Sequence, residues 1–161
     1  MKEIPLTQGK VALVDDEDFD RVSQFKWFAV KWKKGKGYYA ARNSPMISGK
    51  RKHLFLHRFV LGVSEKVDHR NRDGLDCQKH NLRLATDSQN NANRGKFEGC
   101  SSKYKGVHWC SHSNSWRVGT RFQGKHVRIG GCFKSEEAAA RAYDAHAKKS
   151  FGEFARLNFP E

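Results

Sequence analysis

The apolar residues of this chain fall in short runs that alternate with polar ones and are cut by glycine and proline. That pattern restricts the fold to short strands and small sheets. Lys10-Val11-Ala12-Leu13-Val14, Trp27-Phe28-Ala29-Val30 and Tyr38-Tyr39-Ala40-Ala41 are such runs, with Gly35, Gly37, Pro45 and Gly49 between and after them. A further strand is expected from His53 to Leu61, ending at Gly62. Hydrophobic residues make up 37% of the 161, and the eleven Phe and four Trp point to modest cores built on aromatics.

Residues 63–83 are rich in Asp, Asn, Arg and Gly and read as an ordered loop. Thr86-Asp87-Ser88-Gln89 then forms a capping-box pattern, which predicts a short helix to about Arg94. The two glycines and two serines of residues 95–102 mark a linker. Three strand-like runs follow at 104–110, 115–122 and 125–133. Ser135 predicts the N-cap of a helix from Glu136 to about Lys149, whose alanines suit close packing against a sheet. The chain therefore divides into 1–94, a linker 95–102, and 103–161, with an α+β fold expected.

Lys and Arg outnumber Asp and Glu by 31 to 17, which gives a net charge of +14 spread along the whole chain. With pI ≈ 9.9 and a mean hydropathy of −0.82, a polyanion is the expected partner and nucleic acid the default. No apolar run approaches a membrane span, and the N-terminus lacks an apolar signal core, so no membrane role is expected. None of the four cysteines, Cys77, Cys100, Cys110 and Cys132, belongs to a CxxC pair. Reduced thiols are expected, without structural zinc.

The chemistry concentrates in Val67-Asp68-His69-Arg70-Asn71-Arg72-Asp73-Gly74. Asn81 follows His69 by twelve residues, and Asn90 follows Asn81 by nine. An Asp-His pair alone is most often a turn or a surface hydrogen bond, and a lone Asn is usually a turn residue. The Asp-His pair could also be a metal ligand and a general base aimed at a phosphate, and the joint spacing of these residues around a capping box favours a functional site over a turn. The words VDHRNRDGLD, NLRLAT and SQNNANR, with HRFVLG and IPLTQGKVALVDDEDFDRVSQFKW upstream, resemble the phage and intron-encoded nicking branch of the HNH endonucleases over residues 4–94. The resemblance implies a ββα-metal (His-Me finger) site within a β-rich N-terminal domain. It implies Asp68 and Asn90 as ligands of a divalent ion, His69 as the general base that activates water, and Asn81 as the residue that holds the loop. Asn90 stands where many relatives have His. An all-oxygen donor set suits Mg²⁺ or Mn²⁺. Arg94, one turn after Asn90, is a phosphate-contact candidate. His57 is expected to be an ordinary strand histidine, and His80, His112 and His146 structural or exposed.

SKYKGVHW, SWRVGTRF, HVRIGGCFKSEEAAARAYDAHAKKSFG and ARLNFP resemble the apetala-two/ethylene-response-factor DNA-binding domain over residues 102–160. The resemblance implies a three-stranded antiparallel sheet packed on one helix and laid in the major groove. Period-two alternation puts Trp116, Val118 and Thr120 on one face of the second strand and Arg117, Gly119 and Arg121 on the other. By motif position Lys105, His108, Arg121, His126 and Arg128 match sheet contacts of that family, and Arg117 joins them by face. Trp116 and Tyr143 are read as core. Plant members carry a glutamate where Gly119 stands and a tryptophan where Arg128 stands, so base preference does not transfer.

The expected function is that of a Mg²⁺-dependent DNA endonuclease, a nicking or homing enzyme acting as a monomer on double-stranded DNA in the cytoplasm, a bacterial host's if it is phage-encoded. The alternative is a non-catalytic DNA-binding regulator that uses the C-terminal sheet.

Overall fold

A computed structural model describes residues 1–32, 37–46 and 49–160. Gly35 lies outside the described residues. Two compact units result, 1–85 and 86–161, so the division falls at Ala85/Thr86 and the helix after it counts with the C-terminal half. The architecture is mixed α/β, with several small antiparallel sheets.

In the N-terminal unit β1 (Lys2–Pro5) pairs with β2 (Val11–Val14). Helix α1 (Asp16–Ser23) follows where the sequence pattern shows only strands. Asp16, Glu17 and Asp18 occupy its first turn, where carboxylates complement the helix dipole. Strands β3 (Phe28–Lys31), β4 (Tyr38–Asn43) and β5 (His53–Phe55) make an antiparallel sheet. The run expected as one strand from His53 to Leu61 breaks at Phe55 and continues as helix α2 (Leu56–Leu61). Gly62 ends α2 in the left-handed region (φ 67, ψ 29), where its N–H reaches the Arg58 and Phe59 carbonyls. Leu56, His57 and Val60 are the buried residues of α2, a helical spacing that strand alternation cannot give. Strand β6 (Val67–His69) then pairs with β7 (Leu82–Leu84).

The core of this unit gathers Ile4, Val14, Val22, Trp27, Leu56, Val60 and Leu82. Arg42 lies over Phe25, its guanidinium 4.0 Å from the ring centroid, and Phe25 and Trp27 both meet Phe59 edge on.

The C-terminal unit opens with α3 (Asp87–Asn93), whose capping box is formed on both sides. Thr86 Oγ1 accepts from the Gln89 N–H, and Gln89 Oε1 accepts from the Thr86 N–H at 2.8 Å. Strands β8 (Val107–Cys110), β9 (Ser115–Phe122) and β10 (Lys125–Phe133) form one antiparallel sheet with β9 in the middle. Helix α4 (Glu136–Phe151), capped by Ser135, packs on it through Ala139, Ala140, Tyr143 and Ala147. Gly106, at φ +77, has no room for a side chain because the Tyr143 ring presses on it. Asn158 closes the unit. It donates to Asp144 Oδ1 from its amide nitrogen at 3.0 Å and accepts from the Lys105 N–H at 2.7 Å.

Candidate active site

The β6–β7 hairpin sets the register of the site: Asp68 faces Arg83 and His69 faces Leu82. Asp68 and His69 are each 4% exposed. Arg83 donates to Asp68 Oδ2 from Nε at 3.0 Å and from Nη2 at 2.8 Å, so a buried carboxylate has a buried counter-charge. Asn81 closes the base of the loop. Its Nδ2 donates to the Asp76 carbonyl at 2.8 Å, its Oδ1 accepts from the Asn71 N–H at 3.0 Å, and its own carbonyl accepts from the Arg70 N–H. The backbone therefore cannot shift at residues 70–76 without breaking a bond to Asn81.

A second brace comes from β2. Leu13 donates to the Leu75 carbonyl and accepts from the Cys77 N–H, each at 2.8 Å, and Asp15 accepts from the Lys79 N–H at 2.7 Å. Gly74 lets the loop approach β4: a side chain there would meet the Tyr39 ring at 2.6 Å and crowd the Tyr38 carbonyl.

The Tyr39 ring in turn lies 5.7 Å from His69, and His57 on α2 meets His69 edge to face at 4.9 Å. His57 stacks on Phe55 and is 7% exposed, and its Nδ1 has no hydrogen-bond partner among the described residues. His57 is thus neither on a strand nor remote from the site. Burial lowers the His57 imidazole to about 3, helped by His69 and Arg58. Burial lowers His69 to about 4, against the opposing pull of Asp68, Asp73 and Asp76. Both rings are therefore neutral at physiological pH.

Arg83, Tyr39 and Gly74 are not singled out by the sequence, and His57 reads there only as a strand histidine or a phosphate contact. Arg83 has a signal, a charge in the middle of the strand-like NLRLA run. The others become visible only once α2 and β4 are placed.

Over 159 residues the chain is 33% identical to an uncharacterized HNH endonuclease of Acanthamoeba polyphaga mimivirus, which covers 94% of this chain and 76% of the relative. The chain belongs to the HNH endonuclease family. No family profile matches it, and no solved structure does.

In this HNH chain Asp68, His69 and Asn81 come together on one hairpin and its loop, whereas Asn90 lies half-buried on α3 in the C-terminal unit. Arg94 is the C-cap of α3, with its guanidinium 5.0 Å from the Phe97 ring centroid. Among the described residues no cluster of three or more His, Cys, Asp and Glu is suited to a metal. On the hairpin itself the Asp68 carboxylate is the donor type that suits a hard cation, and the buried Cys77 thiol is pushed far up by desolvation and offers no thiolate.

On the C-terminal sheet of this HNH chain the register pairs His108 with Arg117, Arg121 with His126 and Gly119 with Arg128. These side chains share the face opposite α4, and His108, Arg121, His126 and Arg128 are exposed on it. Gly119 makes space there: a side chain would strike the His126 ring at 2.8 Å. Lys105 lies just before β8 and lines one cavity with His108, Arg121 and His126. Its ammonium bonds the Ala92 carbonyl and stands 5.8 Å from the Tyr143 centroid. Tyr143 is core at 2% exposure, and burial pushes its phenol up to about 12. No helix among the described residues is long and apolar enough to cross a membrane.

Proposed function

We propose that the chain is a divalent-metal-dependent DNA endonuclease, a site-directed or homing enzyme that nicks one strand of duplex DNA. The observation that carries this reading is the buried Asp68-His69 pair on β6, beside a loop that Asn81 bonds from both sides. His69 is the general base, because a neutral imidazole can take the proton of the attacking water. Asn81 keeps the loop in place so that the imidazole holds its aim. Asp68 and Asn90 would hold a Mg²⁺ or Mn²⁺ ion, and that ion would supply charge relief for the phosphate and the leaving oxygen. The mimivirus relative carries the name of an HNH endonuclease, which supports the reading.

The C-terminal unit acts as an apetala-two/ethylene-response-factor type module. Its outer sheet face carries Arg117, Arg121 and Arg128 with His108 and His126, a set that suits phosphate oxygens and guanine edges of duplex DNA. Arg94 adds a further phosphate contact. Lys105, beside His108, Arg121 and His126, adds a further cation to this set. One hydrolytic site per chain favours a monomer that nicks, working in the cytoplasm where its DNA target lies.

A plasmid-relaxation assay with and without Mg²⁺ tests this. The wild-type chain should convert supercoiled to open-circular DNA only with the metal. His69→Ala should abolish nicking and leave duplex affinity nearly unchanged; equal cleavage by that variant removes His69 as the base.

A further inference from the structure

The C-terminal unit contains a cavity of about 510 Å³ that the reaction above does not use. That volume lies in the range of pockets that enclose one small organic group. Arg94, Lys96, His108, Arg121 and His126 line it together with Phe97, and no Asp or Glu does. Phe97 is 62% exposed, a large apolar ring left in water beside the Arg94 guanidinium. His108, Arg121 and His126 also belong to the outer sheet face, so the cavity opens where that face would meet DNA. Gly119, another wall residue, keeps the space by bearing no side chain.

We propose that this cavity receives one unpaired nucleotide of the DNA, with its base against Phe97 and its phosphate among Arg94, Lys96 and Arg121. A cationic wall without any acid selects an anion. A bare phosphate has no use for an exposed aromatic ring, and an apolar ligand has no use for the cations. A nucleotide answers both, because every base offers a π-face and every link a charge. A base inside intact duplex is already stacked and cannot enter, so the ligand is a bulged, flapped or extruded one. The inference rests on the reading of the chain as a DNA-acting enzyme.

The test measures binding of the full chain, in EDTA, to three short duplexes: fully paired, with one bulged thymidine, and with one bulged abasic site. The thymidine bulge should bind about five-fold tighter or more than the other two, in line with the stacking of one base on an aromatic ring. Phe97→Ala, a change at an exposed position, should erase that preference and leave the affinity for paired duplex intact. Equal binding of the thymidine and abasic bulges overturns the inference, as does a preference that survives in Phe97→Ala. Nicking that persists while all three duplexes bind alike sinks the cavity proposal alone. A preference that persists without any Mg²⁺-dependent nicking sinks the endonuclease reading alone.

Discussion

The imidazoles of His57 and His69 meet edge to face 4.9 Å apart, both buried. Their folded values of about 3 and about 4 lie below the ordinary histidine value of 6.5. Below about pH 6.5 the unfolded chain takes up protons that the folded chain refuses. Stability is therefore full above that pH and drains as pH falls toward the folded values. Urea unfolding of the metal-free protein should show a midpoint that drops steadily from neutral pH to about pH 5. A midpoint that stays level over that interval contradicts the burial of these rings.

Arg83 offsets the Asp68 charge inside the fold. Arg83→Met leaves a buried carboxylate without its partner and should cost about 3–5 kcal/mol. Arg83→Lys keeps the charge and loses the second donor, so it should lie between wild type and Arg83→Met. Equilibrium denaturation gives both values, and a neutral Arg83→Met would mean the pair is solvated in solution.

Asn81 bonds the backbone at Asn71 and Asp76 simultaneously. Asn81→Asp keeps the acceptor but replaces the amide donor facing the Asp76 carbonyl with an oxygen. Nicking should fall far more than duplex affinity, and amide exchange over residues 70–76 should quicken. Unchanged exchange in that loop would deny Asn81 its bracing role.

Gly106 combines a positive φ with direct pressure from the Tyr143 ring. Gly106→Ala faces both strain and a clash, and should cost the C-terminal unit about 2 kcal/mol or more. Gly124, at φ +79 with open space around it, gives the control, because Gly124→Ala meets the strain without the clash. Thermal melts that rank the two variants in the opposite order would refute the close approach.

The outer sheet face is proposed to meet DNA through charge. If DNA binding uses about six phosphate contacts, log K should fall with log salt at a slope near −5. Arg121→Ala combined with Arg128→Ala should flatten that slope by about two contacts. A wild-type affinity indifferent to salt would argue against the whole basic face.

Much of the C-terminal unit could be read from the sequence because its signals are local. Thr86 and Ser135 cap helices where their patterns say, and period-two alternation sorts Val118 from Arg121 without help from tertiary structure. The N-terminal unit yields less. In His53–Leu61 a short apolar run suits strand and helix equally, and only burial of Leu56, His57 and Val60 decides for the helix. Helix α1 hides behind its acidic first turn, which follows β2 almost directly. At the candidate site the residues with chemistry stand out by type, whereas their supports depend on contacts distant in sequence. Arg83 finds Asp68 through hairpin register, and Lys105 is tied to the end of α3 by a carbonyl that no local pattern announces.

The loop between Asp68 and Asn81 hangs from residues 13–15 by three backbone N–H groups, those of Leu13, Cys77 and Lys79. The first fifteen residues supply none of the proposed reacting groups, yet the loop that carries them is suspended there. A fragment trimmed to the VDH hairpin and its flanks would thus lose this scaffold, and deletion of residues 1–15 should abolish the proposed nicking as thoroughly as His69→Ala.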